Sequence, residues 1–152
     1  MLNVAGFEEA WEAALQIEIK QGIIVHVASI PGLTVLKLIA WTDRGGVNNK
    51  DATDLHRLLT TYADAGNIDR LYEEQSELLE TAEFDLELAG AELLGRDSAL
   101  VCSPKAFEQI GSVLTTERHR ERLITQMGQA FTHDYAWEAS KRIVDGFCRG
   151  FL

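Results

Sequence analysis

Residues Ile30–Leu59 read IPGLTVLKLIAWTDRGGVNNKDATDLHRLL, and this stretch decides the fold. Pro31 suits the first turn of a helix, and the apolar spacing predicts that helix over Gly32–Asp43. Gly45-Gly46 ends it. Asn49 can cap a second helix, with Asp51 in its favourable first turn. Lys37 falls on the stripe of Leu33 and Trp41, one turn to either side. A charge inside an apolar face must snorkel, pair or bind something. Asp51 and Asp54 share one face of the second helix, and Arg44 stands in the turn between the two. Lysine, arginine and carboxylates converging on one corner can handle phosphate and metal, or can form an ordinary polar hinge.

Towards the N-terminus the pattern changes. Phe7–Ala14, FEEAWEAA, consists of helix formers with acids in the early turns. Leu15-Gln-Ile-Glu-Ile then alternates with the period of a strand. Lys20-Gln21-Gly22 makes a tight turn, and Ile23–Ala28, IIVHVA, is β-branched. The two strands predict a hairpin, which is marginal alone and needs helices behind it or more sheet.

Beyond Ser29 every element reads as helix. The second helix runs to about Ala65, and Gly66 stops it. Asn67 caps another over Ile68–Thr81, and Phe84–Leu94 forms one that stops near Gly95. Ser103-Pro104 opens Lys105–Leu114. Thr116 caps a helix to about Thr132, and the last covers Tyr135–Phe147. The expected fold is α+β, mainly α: an N-terminal helix and β-hairpin followed by a helical bundle-like region, with residues 1–152 as one domain. The length of 152 residues suits one domain with its own core.

The net charge of −10 disfavours non-specific binding to nucleic acid or anionic membrane, so nucleic acid is not expected to bind this chain alone. Cys102 and Cys148 fit neither a disulfide framework nor a zinc pattern, and a reduced cytoplasmic setting fits them best. No signal peptide or membrane-length apolar run is visible. Glu73–Glu92 is strongly acidic and Glu117–Arg122, ERHRER, mainly basic. These are two solvated helix faces, or they meet within or between chains. His26 reads as structural, and His56, His119 and His133 share no ligand spacing. Trp11, Trp41 and Trp137 read as core or interface anchors.

The segment SIPGLTVLKLIAWTDRGGVNNKDATDL resembles the C-terminal half of a predicted nucleotidyltransferase family related to abortive-infection type nucleotidyltransferase toxins. The likeness lies in Lys37-Leu38-Ile39-Ala40, then Arg44, then Lys50-Asp51-Ala52-Thr53-Asp54-Leu55. NVAGFEEAWEAAL, YADAGNIDRLYEE and FDLELAGAELLGRD extend it over Leu2–Asp97. The resemblance implies a helical region that follows a polymerase-β-like catalytic half. In that superfamily a glycine turn grips the nucleotide and an Asp-x-Asp strand holds two Mg²⁺ ions.

Neither motif occurs here. Asp85-Leu86-Glu87 matches the paired acids superficially, but in helix-like surroundings. In the family the catalytic half would precede Met1, so that half is expected to be absent from this chain. The resemblance makes Lys37, Asp51 and Asp54 the catalytic candidates, with Lys37 and Arg44 for the nucleotide; the metal ligands stay unknown. Each also has a plainer reading: a snorkelling lysine, a helix-start acid, a partner for Lys50 or Arg57, and an exposed turn arginine. The expected function is a nucleotidyltransferase-like protein or fragment, inactive alone, with a binding, regulatory or assembly role. The alternatives are an active nucleotidyltransferase with an unrecognised metal site, and a helical protein-interaction module. No cofactor is expected alone; Mg²⁺ and a nucleoside triphosphate are expected if a catalytic half is supplied. The expected partners are a second copy of the chain, a separate catalytic half or an antitoxin-like protein, and no membrane.

Overall fold

The computed structural model describes residues 6–44, 48–129 and 136–152. Gly45, Gly46, His133 and the helix ends expected at Thr132 and Tyr135 lie outside them. The described residues form nine α-helices and one two-stranded antiparallel sheet, as an α+β, mainly α fold. Helix α1 covers Phe7–Glu12, and the hairpin is β1 (Leu15–Lys20) with β2 (Ile23–Val27). Then follow α2 (Ile30–Arg44), α3 (Lys50–Thr61), α4 (Ile68–Glu73), α5 (Ser76–Thr81) and α6 (Leu86–Val101). Helices α7 (Pro104–Thr115), α8 (Glu117–Gly128) and α9 (Ala136–Phe151) complete the chain.

Helix α6 is the centre. It is buried nearly all round, with Leu88, Ala89, Ala91, Leu93 and Leu94 in the core, as a helix enclosed by other helices must be. Small residues let α9 approach it closely. Gly146 meets the carbonyl of Leu88, and Gly150 meets that of Glu92. The numbers rise together along both helices, so the two run parallel. A Cβ on Gly150 would lie 1.9 Å from the Glu92 carbonyl oxygen, and one on Gly95 2.3 Å from that of Phe147. Arg149 Nε closes the same seam by donating to Glu92 Oε2 at 3.0 Å. Gly95 therefore does not stop α6, contrary to expectation; the helix continues to Val101 because this glycine serves packing.

Other helix boundaries also differ. The segment Ile68–Thr81 is two helices, broken where the amides of Glu74 and Gln75 both donate to the Arg70 carbonyl. Asn67 does not cap α4; its side-chain amide donates to the Tyr62 carbonyl. Asn49 does not cap α3 with its side chain, and the Lys50 amide donates to Asn48 Oδ1 instead. Thr116 bonds back to the Ser112 carbonyl rather than capping α8. The Ser103 cap with Pro104 in the first turn forms as the sequence predicts. Asp85 is an N-cap, accepting from the amides of Glu87 and Leu88, which accounts for its place beside Leu86 and Glu87 without any metal.

The hairpin forms in the expected place, with Leu15 opposite Val27 and Ile17 opposite Val25. The helices do not cover it. Every β1 residue is exposed, and on β2 only Val25 is half-buried. The contact that ties it to α1 is the Trp11 ring, 4.7 Å from the His26 ring. Trp11 itself is 66% exposed, so it anchors no core, whereas Trp41 is fully buried.

Candidate functional site

Helices α2 and α3 bring the four sequence-predicted residues together. Lys37 Nζ donates to Asp51 Oδ1 at 3.2 Å and to Asp54 Oδ2 at 2.5 Å. Arg44 donates to Asp51 Oδ2 at 3.2 Å. The later turns of α2 lie against the first turns of α3. Asp51 is buried, Lys37 is mostly covered, and Asp54 and Arg44 reach solvent. Asp54 thus pairs with Lys37, not with Lys50 or Arg57. Lys37 is held between the two carboxylates rather than snorkelling free.

Two cations face two carboxylates, so the cluster carries no net charge. Burial depresses the Lys37 ammonium, but hydrogen bonds to Asp54 and Asp51 outweigh it and raise its pKa above the ordinary lysine value. A phosphate or a divalent cation would have to displace bonds already made. Among the described residues, no three histidine, cysteine or acidic side chains converge as metal ligands.

The next turn of α2 extends the corner. Trp41 Nε1 donates to Gln126 Oε1 of α8 at 2.6 Å, and the Arg122 guanidinium lies 4.4 Å from the centre of its ring. The basic segment is therefore partly spent on Trp41. The acidic segment's ion pairs run elsewhere: Glu77 to Arg96, Asp85 to Arg142 and Glu92 to Arg149. Within the chain, these pairs join the acidic segment to α6 and α9.

A second polar cluster went unread in the sequence. Asp97 accepts two bonds from Arg70, at 2.9 and 3.1 Å, and one from the Tyr62 hydroxyl at 2.5 Å. Arg70 also donates to Asn67 Oδ1 at 2.8 Å. Burial and the Asp97 carboxylate both push the Tyr62 hydroxyl far above its usual range. A phenol held neutral and donating is a clamp around the kink at Gly66, where φ is +93°. The partners lie far apart in the chain, so no local spacing marks them.

Near the N-terminus, Ser103 Oγ donates to Glu9 Oε1 at 2.6 Å and ties α1 to the start of α7. Burial would raise the Glu9 carboxyl, but bonds from Ser103 and the backbone hold it below the usual value. Burial pushes the Cys102 thiol up to about 11 and the Cys148 thiol up to about 11, so neither is an activated nucleophile.

Of the fourteen exposed large hydrophobic residues among the described residues, eight lie between Phe7 and Val27. Phe147 and Phe151 are buried at 2% exposure each, while Trp137 stays 39% exposed. No helix among the described residues is long and apolar enough to cross a membrane. Comparison with protein-family models, with curated proteins and with solved structures finds no match.

Proposed function

We propose that this chain works in assembly: a nucleotidyltransferase-like helical body that docks onto another chain through its N-terminal hairpin and does not transfer nucleotides by itself. The observation that carries this is the exposure of Leu15, Ile17, Ile23 and Val27 on one face of a hairpin that no helix covers. Fully burying one such side chain stabilises by roughly 1.5–3 kcal/mol. A hairpin with this face in water is marginal, and a partner removes the deficit. The partner is most simply a second copy, giving a two-fold homodimer. A separate catalytic half or an antitoxin-like protein would use the same face.

Light scattering coupled to size exclusion tests the reading. The wild type elutes as a dimer, and Ile23→Lys returns it to monomer with its helical content intact. Loss of the dimer in Trp137→Glu but not in Ile23→Lys would move the interface to α9. A wild-type monomer at high concentration overturns self-assembly.

The convergence of Lys37, Arg44, Asp51 and Asp54 favours a second reading, in which the cluster itself binds a nucleoside triphosphate with Mg²⁺. Its internal charge balance argues against it. Labelled nucleoside triphosphates, offered with Mg²⁺ or Mn²⁺ and RNA or protein acceptors, decide the point. Turnover that disappears in Lys37→Ala or Asp51→Ala would establish the second reading; the first predicts none.

A further inference from the structure

We propose that the free edge of β2 pairs antiparallel with the same edge of a second copy, around a two-fold axis at Val25, and closes a four-stranded sheet. This rests on the assembly reading and names its seam. The two edges of the hairpin differ in chemistry. The β1 edge carries Glu18 and Lys20, and the register slips between those two residues, so Ile19 forms a bulge. Charges and bulges are the devices that keep an edge from pairing. The β2 edge, Ile23-Ile24-Val25-His26-Val27, has no acid, lysine, arginine, proline or bulge. Alternate residues along it direct their amides and carbonyls away from β1, where another strand can take them.

The β2 sequence is also complementary to itself. Antiparallel pairing about Val25 sets Ile23 against Val27 of the second copy, and Val25 against its own equivalent. Both pairs fall on the apolar face and are favourable cross-strand neighbours. On the other face Ile24 meets His26 of the second copy, whose ring already stacks with the exposed Trp11. Ile24, 60% exposed, and Trp11, 66% exposed, would then cover each other across the seam. The charge pattern fits the same geometry: Glu18 and Lys20 stay on the outer strands, where they stop the sheet at four. A closed dimer results, not a filament.

Oxidative cross-linking tests the seam. Val25→Cys and Ile17→Cys are each placed in a Cys102→Ser background and oxidised at the concentration where light scattering shows the dimer. Opposed residues across an antiparallel pair lie close enough for a disulfide. Val25→Cys is expected to double the apparent mass on non-reducing electrophoresis, while Ile17→Cys stays at monomer mass. Linkage through Ile17→Cys and not Val25→Cys would overturn the β2 seam while leaving hairpin-dependent assembly standing. A dimer that neither cysteine links, but that Ile23→Lys still dissociates, would also overturn it. A wild type that is monomeric at every concentration overturns the assembly reading itself, along with this seam.

Discussion

Helices α6 and α9 press glycine against backbone, whereas β1 and β2 leave most of their aliphatic side chains in solvent. Both regions are rich in apolar residues. The difference is whether the chain brings its own partner. Parallel helices with small residues four apart, Ala91 and Gly95 on one and Gly146 and Gly150 on the other, approach until no Cβ fits at Gly95 or Gly150. The hairpin pairs a six-residue strand with a five-residue one and presents an apolar face, but no helix covers it. The first region is finished within one chain, and the second is the surface that a second chain would finish.

The comparison breaks most easily at the glycines. Gly150→Ala places a methyl group inside the Glu92 carbonyl's radius and is expected to destabilise the protein by about 3 kcal/mol or more, read by urea unfolding. A loss below about 0.5 kcal/mol would mean that the two helices are not this close.

A smaller loss is expected at the corner of α2 and α3. Lys37→Met leaves the buried Asp51 with Arg44 alone and should cost about 1–3 kcal/mol. The pH dependence sharpens this. The pKa of Lys37 is raised in the folded state, so its contribution is full below the ordinary lysine value of 10.5 and fades as pH rises through the higher folded value. Wild type should therefore lose more stability than Lys37→Met on going to strongly alkaline pH. Parallel curves would contradict the pairing.

Glu9 gives the acid counterpart. Its folded pKa is depressed below 4.5, so the Ser103 tie holds above that pH and is lost as pH falls through the folded value. Hydrogen exchange in α1 should accelerate below that point, and Glu9→Gln should flatten the response. An acid response unchanged in Glu9→Gln would assign it to other carboxylates.

The hairpin itself should show the smallest effect. Ile24→Thr removes apolar surface from a residue that is already in water and should change the stability of the isolated chain by no more than about 0.5 kcal/mol. A larger loss, measured where the chain is monomeric, would mean that a helix packs on the hairpin after all.

The sequence made the hairpin, the order of helices and the meeting of Lys37 with two aspartates legible, because each rests on short-range periodicity. Three features needed the third dimension. Gly95 reads as a helix stop until α9 is placed against it, although the paired small residues of α6 and α9 were a signal available in the sequence. Asp97 reads as one more acid until Tyr62 and Arg70 converge on it. Alternation in Leu15–Val27 fixes which residues share a face, but says nothing of whether a helix covers that face. For the candidate site, spacing placed Lys37, Arg44, Asp51 and Asp54 at one corner, but could not reveal that their charges cancel.

Sedimentation equilibrium over a range of concentrations tests most directly whether the hairpin is an assembly surface. The wild type should fit a monomer–dimer equilibrium, and Ile24→Lys should remain monomeric throughout with unchanged helical circular dichroism. A wild type that stays monomeric at the highest concentration, or an Ile24→Lys variant that dimerises as tightly as the wild type, would contradict it.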